Sequence, residues 1–211
     1  MKKPRGYDNI ETNDYSSQQK IEAGGYVCRI MKAVVQEVKG YKIWNILFDV
    51  VEGEFKDYYK KDFEEQKERE KQNRNERSPK WKGVYKIFLP LDDEYGTEKY
   101  ERAVRTQKAF ITSVEHSNDG YHWNWDENTL VNKLVGLVFG LEEWSWNGKS
   151  GWTAKPRYAT GIKRIRDNDF ILPKPKELKG GKKNDGAIYA KKYAEQTTKP
   201  QYTFTDDDLP F

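Results

Sequence analysis

The chain has 211 residues, room for one domain of ordinary size with appendages or for two small domains. Apolar residues make up only 36% against 34% charged, and mean hydropathy is −1.05, so a substantial part of the chain is too polar to build a core. A lone cysteine, Cys28, excludes an internal disulfide framework and is read as a small core hydrophobe; MKKPRGYDNI has no apolar leader and no window approaches a membrane span, so a cytoplasmic protein with no membrane contact is expected.

Strand signals come first in chain order. YVCRIMKAVVQEV (26–38) and YKIWNILFDVVEGEF (41–55) are β-branched and aromatic runs joined across Lys39-Gly40, which predicts a hairpin of long, curved strands. Period-two alternation puts Trp44, Ile46, Phe48 and Val50 on the core face of the second strand and Tyr41, Ile43, Asn45 and Leu47 on the exposed one. DFEEQKEREKQNRNERSP (62–79) is charged all round, with six acids and five Lys or Arg, and without an apolar stripe it predicts a projecting helical arm or a flexible insertion. WKGVYKIFLPL (81–91) is the third strand, ended by Pro90 and DDEYG. TEKYERAVRTQKAFITSVE (97–115) changes period: Tyr100, Ala103, Val104, Gln107, Phe110, Ile111 and Val114 form one helical face, with Thr97 as N-cap. Residues 128–165 return to strand with NGKSG as the hairpin turn, and Gly136 and Gly140 mark bends or bulges.

Strand, strand, strand, helix, strand, strand is the order of an OB-fold: a mainly β, five-stranded Greek-key barrel with its helix between strands three and four, a common binder of oligonucleotides. Here it carries a charged helical insertion and a C-terminal tail predicted to be disordered. The expected organisation is a domain over 1–172, a basic linker over 173–203 and an acidic tip over 204–211. The charge is distributed accordingly: the net +4 divides into +2 for residues 1–171, +5 for 172–203 and −3 for 204–211. A linker of Lys, Pro and Gly is expected to be extended.

Aromatic placement adds an independent signal. DYYKK (57–61), KWKGVYK (80–86) and EEWSWNGKSGWTAKPRY (142–158) interleave rings with cations, and bases stack on aromatic faces while Lys and Arg track phosphates. The candidate stacking residues are Trp144, Trp146 and Trp152, expected side by side across the hairpin, with Tyr158, Tyr58, Tyr59 and Trp81. The candidate phosphate contacts are Lys155, Arg157, Lys163, Arg164, Lys60 and Lys86. The tip FTDDDLPF combines three acids with an apolar cap: Asp206, Asp207 and Asp208 suit a basic rim, while Leu209, Pro210 and Phe211 suit a pocket on a partner protein.

That tip is similar to the acidic C-terminal tip of bacterial single-stranded DNA-binding proteins, where aspartates followed by an aliphatic residue, Pro and a terminal Phe dock replication and repair enzymes. The body, with GGYVCRIMKAV, LFDVVEGEFKDYY and NGKSGW, resembles a family of bacteriophage and prophage proteins of that single-strand-binding kind over about residues 20–170. The resemblance implies a protein that coats and protects single-stranded DNA without sequence preference in phage replication and recombination, in the cytoplasm of a bacterial host. It would recruit enzymes through the tip and need no cofactor. Assembly into a homo-oligomer is compatible with the sequence. A strand-annealing or recombination accessory protein with the same groove is the alternative; a Trp-lined carbohydrate-binding β-sandwich would leave the tip without a role. Enzyme readings are poorer. His116, Asp119 and His122 are a thin metal set, Asp92, Asp93, Glu142 and Glu143 read as solvated turn acids, and no GxxxxGK[ST] is present.

Overall fold

In the computed structural model, residues 20–72 and 78–178 are described. The acidic tip and residues 179–203 of the expected linker lie outside them. Gly24–Val38 (β1) and Tyr41–Val50 (β2) form the first hairpin. Its two central residues, Lys39 and Gly40, have φ of 52° and 79°, the left-handed pair that matches strand twist in a two-residue turn. Tyr58–Gln72 (α1) follows, then Val84–Phe88 (β3), Glu98–Glu115 (α2), Leu134–Trp146 (β4), Lys149–Thr160 (β5) and Ile162–Arg166 (α3).

The five strands make one antiparallel sheet in the order β3-β2-β1-β4-β5. β1 serves both halves: Gly24 to Arg29 pair with β4, and Cys28 to Val38 pair with β2. A bulge at Met31, where Ile30 faces Phe48 but Lys32 faces Leu47, lets so long a strand bend between the two halves. The edge strands β3 and β5 come within 8 Å of each other without a ladder between them, and α2 packs against β3, β4 and β5 to close the gap. The body is therefore mainly β, with one curled five-stranded sheet and a few helices, a topology compatible with an OB-like fold.

The core face predicted for β2 holds, while on the face expected to be exposed Ile43, Asn45 and Leu47 are half-buried. Trp44, Ile46, Phe48 and Val50 are buried together with Cys28, Ile30, Val135, Leu137 and Phe139, whereas Tyr41 stays exposed. α2 is held as its sequence requires: the Thr97 hydroxyl accepts from the Tyr100 N–H at 3.2 Å, and Phe110 and Val114 insert into the core, Phe110 edge-on to Trp44 with centroids 5.4 Å apart.

Three local expectations are corrected. β2 stops at Val50, because Asp49 and Val50 open the entry to α1: the Asp49 carboxylate accepts from the Tyr59 and Lys60 N–H groups at 3.0 and 3.1 Å, satisfying donors at the helix start. The charged arm therefore begins at Tyr58 rather than Asp62, and its base packs, with Phe63 edge-on to Trp81 at 5.7 Å and the Gln66 amide bonded to the Lys80 backbone at 2.9 and 3.1 Å. At the other end, residues 128–133 form no strand but a turn of 3-10 helix over Glu127–Leu130 and its exit, and residues 162–165, expected as strand, belong to α3.

Residues 173–178, expected to open the linker, pack on the sheet instead. Beyond Phe139, β4 has no β1 neighbour, and Lys176 takes that place as an isolated parallel bridge: Glu143 N–H donates to Lys176 O and Lys176 N–H to Leu141 O, both at 2.9 Å. Gly140 permits this course, since a Cβ there would lie 2.6 Å from the Pro173 ring; at Gly136 a Cβ would lie 2.6 Å from Ile165 of α3 and 2.7 Å from the Thr160 carbonyl. The predicted bulge exists, but it falls on β5, where Arg157 is the extra residue between Pro156 and Tyr158.

Candidate nucleic-acid interface

The β4–β5 hairpin projects Trp146, the most exposed aromatic residue of the sheet, together with Trp144. Its turn is two residues, Asn147 and Gly148, with φ of 48° and 74°, so that Trp146 pairs with Lys149, Trp144 with Gly151 and Glu143 with Trp152. Directly paired residues share a face. Trp144, Trp146 and Lys149 therefore lie on one face, continuous with Glu142 and Lys155, while Trp152 lies on the other with Glu143. The expectation that the three tryptophans sit side by side is thus corrected: Trp152 is partly buried and packs against the core cluster. Trp144 lies across Gly151, where a Cβ would come 3.0 Å from its ring; this cross-strand contact fixes the indole and leaves it 41% exposed. Trp146 is 67% exposed with Lys149 across from it.

The remaining candidates separate by burial. Tyr59 is 7% exposed, edge-on to Phe48 at 5.3 Å, and Arg157 is equally buried at 7%; neither offers a free surface to a strand. Desolvation pushes the Tyr59 phenol far above its ordinary value. Trp81 donates its indole N–H to the Phe48 and Gly83 carbonyls, both at 3.1 Å, and Tyr58 packs on the core edge. These side chains anchor α1 and β3. Tyr158 is also a fastening: its hydroxyl donates to the Ile171 carbonyl at 2.6 Å and accepts from the Ile171 N–H at 3.1 Å, holding the segment that leads to Pro173. Burial raises its pKa despite the opposing hydrogen bond.

Lys155 stands beside the hairpin face but is paired with Glu142 at 2.6 Å, and Lys176 reaches the same carboxylate at 3.4 Å. Burial alone would raise the Glu142 pKa; the two ammonium groups overcome it and hold the carboxyl below its ordinary value. Lys60 and Lys86 are exposed. Lys163 and Arg164 lie on α3, paired with Asp167 at 2.8 Å and Asp169 at 3.2 Å, away from the hairpin tip.

Two aromatic surfaces escaped the sequence reading. Lys86 pairs with Asn45 and Phe88 with Ile43, so the outer face of β2 and β3 carries Tyr41, Phe88 and Lys86 together; Tyr41 and Phe88 meet edge-on at 6.4 Å and are 46% and 50% exposed. Lys99 stands 4.9 Å above the Tyr41 ring. The alternation of WKGVYKIF placed Phe88 on this face and was the available signal. The second surface is a ladder of indoles: Trp123 stacks on buried Trp44 at 5.3 Å, and Trp125 lies on Trp123 at 4.6 Å with 75% of its surface open. Trp125 adopts φ of 68°, a costly conformation for a bulky side chain, and is flanked by the Asn124 and Asp126 turn bonds. WNW at 123–125 carried the same polar-flanked tryptophan pattern as WSW at 144–146.

Among the described residues, no three His, Cys, Asp or Glu side chains gather into a group able to hold a metal, and no helix is long and apolar enough to cross a membrane. Open rings beside cations, on strands held by backbone pairing, can stack on planar groups and attract anions. Compared with protein-family models and with curated proteins, the sequence matches neither any family model nor any curated protein.

Proposed function

We propose that the chain is a single-stranded DNA-binding protein with an OB-type barrel, acting without sequence preference and without catalysis in the cytoplasm of a bacterial host. The observation that carries this reading is the hairpin face of Trp144 and Trp146 with Lys149, two open indoles and a cation fixed on one side of a projecting β-ribbon. Stacking on an aromatic ring is worth about 1–3 kcal/mol per base and tolerates any base, because each has a π-face. Tyr41 and Phe88 with Lys86 repeat the combination on β2 and β3. The strand order supports the OB assignment, since β1 pairs with both β2 and β4 and α2 falls between β3 and β4.

On this reading the protein keeps the strand unpaired and shielded during phage replication and recombination. Asp206, Asp207, Asp208, Leu209, Pro210 and Phe211 recruit replication and repair enzymes, raising their local concentration by tethering. The resemblance of FTDDDLPF to the tips of bacterial single-stranded DNA-binding proteins supports that part. The test is intrinsic tryptophan fluorescence during titration with an unlabelled single-stranded oligonucleotide, with duplex as comparison and at several salt concentrations. Strong quenching by the single strand that weakens as salt rises is expected. An unchanged spectrum with either nucleic acid would refute the proposal.

A further inference from the structure

A basic cleft of about 700 Å³ lies between α2 and the end of β5, where the chain enters α3. Its cationic lining is Arg105, Lys108, Lys163 and Arg164, joined by His116, and no carboxylate residue lines it. On the α2 side, Arg105, Lys108, Thr112 and His116 recur at three- and four-residue spacing, so one flank of a single helix supplies the wall. Opposite stand Thr160, Gly161 and the first turns of α3. The walls are tied together: the Ile162 N–H donates to the Ser117 hydroxyl at 3.1 Å, and that hydroxyl donates to the Ser113 carbonyl at 2.6 Å. The cleft is therefore preformed.

We infer that this cleft binds phosphates of the nucleic-acid backbone, as a second contact for the strand whose bases stack on the hairpin; the inference rests on the single-strand-binding reading above. Three observations choose the occupant. The lining contains no Phe, Tyr or Trp, so it lacks the large open rings that the hairpin offers to bases, and its four Lys and Arg side chains favour contact with the backbone. Its only aliphatic residues are Ala109 and Ala159 beside Gly161, too small to make a pocket for the Leu-Pro-Phe cap of an acidic peptide, yet open enough for a phosphate to approach. The cations are available: Arg105 pairs with Glu101 at 3.3 Å, Lys163 with Asp167 and Arg164 with Asp169, all exposed ion pairs that solvent screens and a phosphate can replace. Lys108 has no carboxylate partner among the described residues. Cleft and hairpin tip sit at opposite ends of β5, about 36 Å apart at 3.3 Å per residue, so one extended strand running along β5 would touch both.

The experiment compares the full-length protein with Lys108→Ala, Arg105→Ala/Lys108→Ala and Lys108→Arg. Each is titrated with an unlabelled oligothymidylate over a salt series and followed by tryptophan quenching. Expected is a several-fold loss of affinity at low salt in the alanine variants. The slope of log K against log salt should become shallower by about 0.7 for each phosphate contact removed, with maximal quenching retained and the arginine variant close to the unaltered protein. Normal quenching with unchanged slopes in both alanine variants overturns the cleft assignment and leaves single-strand binding standing. Absent quenching in the unaltered protein overturns both. Weaker binding of a synthetic FTDDDLPF peptide by the alanine variants, with unchanged oligonucleotide slopes, would assign the cleft to an acidic peptide and overturn the inference.

Discussion

Replacing Trp146 and Trp152 in turn tests which face of the β4–β5 hairpin meets the ligand. The two residues lie on opposite faces by register, since Trp146 faces Lys149 while Trp152 faces Glu143. Trp146 is 67% exposed, so Trp146→Ala removes little packing and stability should change by less than about 0.5 kcal/mol. The lost stack should cost about 1–3 kcal/mol of binding, a roughly 5- to 160-fold weaker affinity. Trp152 packs against the core cluster and is partly buried; its truncation should cost about 2–3 kcal/mol of stability, somewhat under the loss for a fully buried indole. For a chain of this size that is a fall in Tm of roughly 4–12 °C. Thermal unfolding and oligonucleotide titration of the same two samples give the four numbers. The reasoning is refuted if Trp152→Ala, still folded at the assay temperature, loses affinity while Trp146→Ala binds normally, because the register then assigns the wrong face.

Tyr158→Phe removes a hydroxyl that both donates to and accepts from Ile171, and should cost about 1–3 kcal/mol. Hydrogen exchange should quicken at Lys176 and Glu143, whose N–H groups form the adjoining bridge; unchanged protection there would show that Tyr158 does not hold the segment. Glu142, with its pKa held below the ordinary value, contributes stability that is complete above the unfolded carboxyl pKa and is lost as pH falls through the lower folded value. Glu142→Gln should therefore flatten urea stability against pH in the acid range, and an identical pH profile would deny the charge interaction with Lys155 and Lys176.

Sequence alone was most informative where a period ran long and least where one turn decides everything downstream. The alternation of β2 and the helical spacing of α2 gave both elements and the core positions Trp44, Ile46, Phe48, Val50, Phe110 and Val114, whereas Thr106 and Ser113 of α2, polar and so outside an apolar stripe, are buried too. The hairpin shows the opposite case. Reading NGKSG as the whole turn sets Trp146 against Trp152 and puts both indoles on one face. The two-residue turn at Asn147-Gly148 sets Trp146 against Lys149 instead, an odd shift in pairing, and an odd shift carries Trp152 to the other face. Arg157 was expected to face phosphates because cations interleave with rings over 142–158; it is instead the extra residue of a bulge and is buried, and residue composition carries no sign of a bulge. Tyr59 was misplaced for a different reason: DYYKK looks like a surface run, and only the Asp49 carboxylate, which sets where α1 starts, turns one tyrosine inward. Trp125 was legible in composition but not in conformation, since no pattern announces a left-handed tryptophan.

The short bridge at Lys176 also bears on where the body can be cut. β4 outruns β1 by several residues, and without Lys176 the Glu143 N–H and Leu141 carbonyl would be bare ladder groups on the flank of a ribbon that already carries two open indoles. Such a flank is a template for a second chain. A fragment ending at 172, where composition turns basic, would keep the sheet and the hairpin yet leave that flank unguarded. A fragment carried through Leu178, whose N–H reaches the Glu143 carboxylate at 3.1 Å, retains the strip that shields it.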